Sequence, residues 1–197
     1  MTSKSKPSHI TRESLQSWRV ATLARERDGT NTTIASEDQL LESRRAMIPD
    51  DTDCRDLWVF GYGSLIYNPI IAHEQRLIAR IHGYHRRFCL WTQIGRGSPE
   101  CPGLVLSLDR GGSCVGVGFK LQPDTAIAEL DLLWRREMMT LAYNARWLRL
   151  HTDDGIKCGL AFVANPQRPA YAPPMPFEDL VTTVATAIGF NGHCYDY

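Results

Sequence analysis

Residues 57–164 carry one short apolar run after another, and this pattern constrains the fold more than any other feature of the sequence. Runs rich in aliphatic and aromatic residues and bounded by turn-forming residues predict β-strands. Gly83 interrupts the second run and predicts a break in it. The predicted strands cover 57–62, 77–92, 103–109, 114–121, 145–152 and 156–164.

Two turn sequences and one helix set the order of these strands. D-R-G-G-S at 109–113 and D-D-G at 153–155 predict tight hairpins between neighbouring strands. A helix is predicted between them over 123–139, where Pro123 suits a first helical turn. Antiparallel strands with one long helix inserted predict an α+β fold with a curved sheet or a barrel.

The N-terminal part of the sequence has a helical pattern instead. Residues 11–27 form a predicted helix with Thr11 as its N-cap. A second predicted helix begins at Ser36 and ends near Met47, and Gln39 stands where a capping box requires it. We therefore expect a helical arm before the strands begin.

An acidic linker, P-D-D-T-D-C-R-D, separates the arm from the strands. We predict a division into residues 1–55, the helical extension with its linker, and residues 56–197, the main domain. A proline-rich loop at 165–176 and a short helix at 177–188 are expected to follow the last strand.

Charge and hydropathy exclude several classes of partner. The 197 residues include 22 basic and 22 acidic side chains, so the formal net charge is zero. No excess positive charge attracts nucleic acid or an anionic membrane, and no apolar run has the length that spans a bilayer. The basic N-terminus has no apolar segment behind it and does not resemble a secretory signal. We expect a small molecule or another protein as the partner.

The six cysteines are scattered, at positions 54, 89, 101, 114, 158 and 194. They form no CxxC pair and no short Cys/His cluster, so we predict no metal site. Free thiols are typical of a reducing compartment, and a cytoplasmic location is therefore expected.

The segment W-V-F-G-Y-G-S-L-I-Y-N-P, from Trp58 to Pro69, places two glycines and a serine at the end of the first strand. Dinucleotide-binding and nucleophile-elbow motifs require glycine where Ile66 stands, and a P-loop requires a Gly-Lys pair that is absent. Two interpretations stay open. Either the glycines form a bulge with Tyr62 in the core, or N–H groups of 61–64 bind an anionic or carbonyl oxygen.

Glu137 is the second unusual residue, because the predicted helix places it on the apolar stripe of Leu130 and Trp134. No basic residue lies four positions away, and Arg135 and Arg136 are expected to point elsewhere around the helix. Burial and the negative end of the helix dipole both raise the pKa of a carboxyl. Glu137 is therefore a candidate general base at neutral pH. The alternative is a carboxylate that reaches solvent at the helix end.

Four sequence motifs follow one another along the chain. The sequence contains W-V-F-G-Y-G-S-L-I-Y-N-P, H-G-Y-H-R-R-F-C-L-W, R-G-S-P-E-C-P-G-L-V-L-S-L-D-R-G-G-S-C-V-G-V-G-F-K-L and L-W-R-R-E-M, in this order. Together they resemble the ChaC family of γ-glutamylcyclotransferases over roughly residues 57–195. The opening I-T-R-E-S-L also resembles bacterial members.

The resemblance implies a fold and an activity. The fold is a γ-glutamylcyclotransferase-like small mixed β-barrel with flanking helices. The activity is cleavage of glutathione to 5-oxoproline and cysteinylglycine, with neither a metal nor an organic cofactor. Two alternatives stay open: a cyclotransferase for other γ-glutamyl amines or dipeptides, and a non-catalytic regulatory protein that retains the pocket.

The resemblance also implies site residues. The general acid/base of the family corresponds to Glu137. The substrate-binding residues correspond to Val59, Phe60, Gly61, Tyr62, Gly63, Ser64, Leu65 and Tyr143. The sequence departs from the family at Tyr67, where tryptophan is frequent, and at Leu141, where glycine is frequent and a larger side chain is expected to crowd the pocket. It also ends earlier than the family pattern, before a further helix.

Overall fold

The computed structural model describes residues 10–28, 33–93, 95–189 and 192–196. Its helices are α1 (Arg12–Gln16), α2 (Arg19–Asp28), α3 (Glu37–Met47), α4 (Ser64–Tyr67), α5 (Ala126–Glu137) and α6 (Phe177–Thr186). Its strands are β1 (Trp58–Gly61), β2 (His73–Thr92), β3 (Gly103–Leu121), β4 (Tyr143–Thr152), β5 (Gly155–Ala164), β6 (Ile188–Gly189) and β7 (Gly192–His193).

Strands β1 to β5 close into a barrel in the order β1-β3-β2-β4-β5, and β5 returns to pair with β1. Most neighbouring strands are antiparallel, whereas β5 runs parallel to β1 and to β3. Helix α5 connects β3 to β4. The predicted α+β fold, a small mixed barrel with flanking helices, is confirmed.

Strands β2 and β3 form one long antiparallel ribbon, and the predicted hairpin at 109–113 is wrong. β3 continues through this segment, and residues 93–102 connect the two strands instead. Gly83 faces Gly111 and Gly112 across a shift in register, so the three glycines form a bulge. Their φ angles are 84°, 98° and 64°. Glycine adopts positive φ in hairpin turns and in bulges alike, so the sequence did not distinguish the two. Gly83 bends β2 without ending it.

The second predicted hairpin and the long helix are confirmed. Thr152 pairs with Gly155 across a two-residue turn, and the φ of Gly155 is 99°. The helical segment opens with a 3₁₀ turn at Pro123–Thr125 and continues as α5.

The N-terminal arm contains a break that the sequence analysis missed. The single predicted helix over 11–27 is wrong, because α1 ends at Gln16 and α2 begins at Arg19. Trp18, between them, has a φ of 58°, which a right-handed helix cannot accommodate. The predicted caps are confirmed, since Thr11 caps α1 and Ser36 caps α3, both in capping boxes.

The interior of the barrel forms one apolar core. Its largest fully buried members are Trp58 and Phe60 of β1, which are 1% and 0% exposed. The other buried members are Tyr62, Ala79, Ile81, Leu108, Cys114, Leu150, Ala161 and Val163. Because successive side chains of a strand point to opposite faces, Val59 lies on the outside of the barrel.

A second core fills the space between the barrel and the helices. Val59 and Phe162 of the barrel pack there with Trp134 of α5 and with Leu40 and Ile48 of the arm. β1 is therefore buried on both faces. The arm shares this core with the barrel, and the division at residue 55 stays a prediction.

No helix among the described residues is long and apolar enough to cross a membrane. All six cysteines lie in the described part of the chain, and none of them forms a disulfide. Residues 165–176 form an irregular, proline-containing connection to α6, as predicted.

Candidate active site

The chain turns sharply where β1 ends, and close packing explains the first glycine of this turn. A Cβ at Gly61 would lie 2.9 Å from Cε2 of Phe119 and 3.1 Å from Cβ of Leu65. Both distances are shorter than ordinary carbon contacts, so only glycine fits without a shift of its neighbours. The turn therefore holds α4 directly against the end of the strand.

The second glycine leaves the start of α4 open. Gly63 is the N-cap of α4 and makes no side-chain cap hydrogen bond. The first N–H groups of any helix have no partner within the helix. The N–H groups of Ser64 and Leu65 are of this kind, and both residues line a small cavity.

Tyr62, between the two glycines, holds the turn to the barrel. Its hydroxyl donates a hydrogen bond of 2.9 Å to the carbonyl oxygen of Phe162 and lies 3.4 Å from Oγ of Ser107. The side chain is buried. The sequence left open a core tyrosine beside a bulge or a binding loop, and Tyr62 takes part in both the core and the cavity wall.

Glu137 approaches the same place from the end of α5. Trp134, one turn earlier, stacks edge-on against Phe162 with ring centroids 5.3 Å apart. Its indole N–H donates to Oγ of Ser43 on α3 at 2.9 Å. The last turn of α5 is thus fixed between the arm and β5, and Glu137 is its final residue.

These elements line a small, partly open cavity. Its lining residues are Tyr62, Gly63, Ser64, Leu65, Glu137, Tyr143 and Phe162. Glu137 supplies the carboxylate among them, and the turn after β1 supplies main-chain N–H groups. No group of three His, Cys, Asp or Glu side chains among the described residues is arranged to hold a metal.

Burial raises the pKa of the Glu137 carboxyl, and the Arg136 guanidinium lowers it in part. The side chain of Glu137 is only 13% exposed, and Nε of Arg136 lies 3.0 Å from its Oε1. The net result is a pKa above the ordinary glutamate value. A carboxyl with a raised pKa is suited to take up and return a proton near neutral pH.

The contact with Arg136 corrects the sequence analysis. Arg136 was expected to point away from Glu137, because adjacent residues are 100° apart on a helix. The long side chain instead crosses the end of α5 toward the turn after β1. It donates to the main-chain oxygen of Asn68 at 2.6 Å and to Oγ of Ser64 at 2.8 Å.

The candidate site residues from the sequence fall into two groups. Glu137, Tyr62, Gly63, Ser64, Leu65 and Tyr143 line the cavity. Val59, Phe60 and Gly61 lie behind it in β1, where they form core and strand contacts. The assigned binding roles stay predictions for both groups.

Two residues beside the cavity were missed. Phe162 has an alternation signal, because it shares with Leu160 the face of β5 that meets α5. The register that brings it to Glu137 is not visible in one sequence. Arg136 has no such signal, since the direction of a long side chain at a helix end depends on tertiary acceptors.

Cys89 and also Leu141, where the sequence departs from the family pattern, lie outside the cavity lining. Burial raises the pKa of the Cys89 thiol to about 11, so it is protonated at neutral pH. Leu141 packs against the core between the barrel and α5 and does not line the cavity. Its φ is 56°, a conformation in which glycine carries no Cβ penalty, and this explains the frequent glycine of the family.

Comparisons with known proteins agree with this architecture. A family model described as ChaC-like protein matches residues 57–197. The glutathione-specific gamma-glutamylcyclotransferase of Escherichia coli (strain K12) is 36% identical over 163 residues, which cover 79% of this chain and 71% of that protein. Glutathione-specific gamma-glutamylcyclotransferase 1 of Homo sapiens is 34% identical over 154 residues, 75% of this chain and 69% of that protein.

A solved structure supports the fold. The crystal structure of a γ-glutamylcyclotransferase specific to glutathione from yeast matches with a TM-score of 0.64 at 22% identity, over 72% of this chain and 82% of that chain. The family model covers the whole barrel, α5 and α6. The chain belongs to the ChaC family.

Proposed function

We propose that this protein is a γ-glutamylcyclotransferase that cleaves glutathione to 5-oxoproline and cysteinylglycine. The observation that carries the proposal is the buried carboxylate of Glu137, with its raised pKa, in a cavity whose opposite wall is the turn from Tyr62 to Leu65. The identity to glutathione-specific relatives supports the choice of substrate.

The reaction needs no nucleophile from the protein. The α-amino nitrogen of the γ-glutamyl group attacks its own γ-carbonyl carbon and forms a C–N bond that closes a five-membered ring. The amide bond from that carbon to the cysteinyl nitrogen breaks. The ring nitrogen gives up protons and the leaving nitrogen gains them, so the reaction consumes neither water nor a co-reactant.

Glu137 is the group that carries the proton. As a carboxylate it accepts a proton from the α-ammonium group, which frees the lone pair for attack. As a carboxylic acid it returns the proton to the leaving cysteinyl amine. A raised pKa favours the second step, because it lowers the free-energy cost of protonating the carboxylate at neutral pH.

The rest of the cavity folds and holds the substrate. A flexible γ-glutamyl chain must bend before its amine reaches its carbonyl, and fixing that geometry accounts for a large part of the rate enhancement in such reactions. The N–H groups of the turn and the hydroxyl of Ser64 bind the α-carboxylate or the oxyanion that develops on the γ-carbonyl. Ser64 is a binding residue in this scheme and not a nucleophile.

The size of the cavity favours recognition of half of the substrate. Pockets that enclose a whole drug-sized ligand have volumes of roughly 300–1,000 Å³. The cavity here is much smaller than this and suits at most the γ-glutamyl group, with the rest of the molecule directed outward. This observation favours a second candidate function, a cyclotransferase that accepts other γ-glutamyl amines or dipeptides.

One experiment separates these functions. Purified protein is incubated with glutathione, oxidised glutathione or γ-glutamyl-alanine, and released 5-oxoproline is quantified. We expect release from glutathione alone. Release from γ-glutamyl-alanine at a comparable kcat/KM supports the broader enzyme. Binding without release from any compound overturns catalysis in favour of a regulatory protein.

We also propose a cytoplasmic location. Its support is the free state of all six cysteines, four of them buried, because buried thiols without disulfides are typical of reducing compartments. Cell fractionation of the native host tests it, and recovery in an oxidising compartment would contradict it.

A further inference from the structure

Helix α1 of the N-terminal arm contacts α5 through an arginine that binds a carboxylate with both terminal nitrogens. Both terminal nitrogens of Arg12 donate to the carboxylate of Glu129, at 2.7 and 2.6 Å. The Glu129 side chain is 2% exposed, so Arg12 is the cation that pairs with a carboxylate shielded from solvent. Arg12 and α1 lie before the segment that the family model matches.

The same ion pair fixes the segment 68–72, which connects α4 to β2. The main-chain N–H of Ala72 donates to Oε2 of Glu129 at 3.0 Å, and Nη1 of Arg12 donates to the carbonyl oxygen of Ile70 at 3.1 Å. The φ of Ile70 is 55°, which is rare for a β-branched residue. Surrounding contacts must hold such a conformation, because it relaxes when they are lost.

Asn68 links this segment to the active site through two hydrogen bonds. Its side-chain amide donates to the carbonyl oxygen of Ile10 in the arm at 3.2 Å. Its own carbonyl oxygen accepts from Arg136 at 2.6 Å. Arg136, with a side chain 5% exposed, also contacts Ser64 and Glu137. An unbroken series of polar contacts thus joins the arm to both walls of the cavity.

We propose that Arg12 is a positioning residue of the active site, which acts through the segment 68–72 and Arg136 to orient Glu137 and Ser64. The proposal rests on the proposed function. It assigns the arm a role in catalysis beyond its share of the apolar core.

Loss of Arg12 has a defined chemical consequence in this scheme. The segment 68–72 relaxes, the Asn68 carbonyl moves, and Arg136 loses an acceptor that fixes its direction. Arg136 on α5 contacts Glu137, and the titratable residues that line the cavity with Glu137 are Tyr62 after β1 and Tyr143 at the start of β4. Arg136 is the cation among them, so its displacement removes the influence that lowers the pKa of Glu137.

The test compares Arg12→Gln with the wild-type protein, well below the unfolding temperature of both. We expect kcat for 5-oxoproline release to fall about tenfold or more, as small misplacements of catalytic groups do. We expect KM to change less than kcat. The acid limb of the kcat/KM profile moves to higher pH, because the base then has a higher pKa.

The matched control is Arg45→Gln. Arg45 on α3 also forms an arginine–carboxylate pair, at 2.8 Å with Asp50, but it is exposed, and neither residue lines the cavity. We expect its kcat and pH profile to match those of the wild type. An Arg12→Gln variant with a lower unfolding temperature but unchanged kcat and pH profile would overturn the proposal.

A milder variant covers the case in which Arg12→Gln does not fold. Asn68→Ala removes the hydrogen bond to Ile10 and retains the main-chain carbonyl that Arg136 uses. We expect a smaller loss of kcat, about threefold, and a shift of the acid limb in the same direction. Wild-type kinetics in this variant would overturn the transmission through Asn68.

A measurement without turnover separates this proposal from the proposed function. The pKa of the Glu137 carboxyl is followed by NMR titration of ¹³C-labelled protein, assigned with Glu137→Gln. A higher pKa in Arg12→Gln supports the positioning role even if no γ-glutamyl compound is cleaved. An unchanged pKa in an active enzyme overturns the positioning role and leaves the proposed function intact.

Discussion

Glu137 combines two influences that oppose each other. Burial raises the pKa of its carboxyl, and the guanidinium of Arg136, 3.0 Å away, lowers it. A fully buried glutamate without a cation would stay protonated and could not act as a base. An exposed glutamate would be ionised at neutral pH and would have no proton to donate. The pKa of Glu137 therefore depends on the surroundings of its carboxyl group as well as on the carboxyl group itself.

The first prediction concerns the proton carrier itself. Glu137→Gln keeps the shape of the side chain but cannot exchange a proton. We expect 5-oxoproline release from glutathione to fall by about 10²–10⁴-fold. Circular dichroism and the unfolding temperature should stay close to those of the wild type. The control is Glu178→Gln at an exposed position of α6. Near-normal turnover in Glu137→Gln would refute the mechanism.

The second prediction concerns pH. The base must be ionised, so kcat/KM should fall as pH drops through the pKa of Glu137. We expect this limb above the ordinary glutamate pKa of about 4.3, because burial raises it. In Arg136→Gln the cation is gone and the limb should move further up. Profiles of kcat/KM against pH for both proteins measure this shift. An acid limb that moves to lower pH in Arg136→Gln contradicts the assignment of Glu137 as the base.

At the scale of elements, the parts of the site that depend on local spacing were predictable. The stripe of α5 and the dipole at its end identified Glu137, and the glycines identified the turn after β1. Contacts between residues distant in sequence determine the other parts of the site and fold. Arg136 turns toward Ser64 and Asn68 because their oxygens lie there, and Gly111 and Gly112 form a bulge because β2 continues past them. Neither cause is present in local sequence.

The third prediction concerns the packing of α4 against β1. Gly61→Ala places a methyl group 2.9 Å from Phe119 and 3.1 Å from Leu65. We expect the free energy of unfolding to fall by about 1–3 kcal/mol. We also expect kcat to fall, because α4 carries Ser64. The double variant Gly61→Ala/Phe119→Leu should recover part of both losses, and denaturant unfolding of the four proteins tests the coupling. Additive losses would contradict the steric explanation.

At the scale of the whole molecule, polar clusters hold the segments that flank the barrel. Within the arm, α1 is joined to α5 by the pair of Arg12 and Glu129. Helix α3 is joined to α5 by Arg44, which pairs with Asp131 at 2.8 Å. On the other side, Asp109 of β3 fixes the connection that leads to α6. These contacts hold the flanking segments against the barrel, and such fixed surroundings favour a preorganised site.

The last prediction concerns the cluster around Asp109. Its Oδ2 accepts from Nε of Arg87 at 2.8 Å, and the hydroxyl of Tyr171 donates to it at 3.0 Å, with the Asp109 side chain 16% exposed. Burial raises the pKa of Asp109, but hydrogen bonds from Arg87, from the main-chain N–H of Arg110 and from Tyr171 outweigh burial and hold the pKa below its usual value. A lowered folded-state pKa contributes stability above the unfolded value, and that stability is lost as pH falls through the folded one.

Asp109→Asn should therefore lower the free energy of unfolding by about 2 kcal/mol at pH 7. The difference from the wild type should shrink as pH falls below about 4, where the carboxylate of the unfolded state protonates first and that of the folded state follows at lower pH. The control is Asp53→Asn, because Asp53 pairs with Arg55 at 2.6 Å but both are exposed, and solvent screens such pairs. Denaturant unfolding at several pH values measures both variants. Since Asp109 does not line the cavity, kcat well below the unfolding temperature should stay within about twofold. A difference that grows at low pH would show that Arg87 and Tyr171 do not stabilise the ionised form.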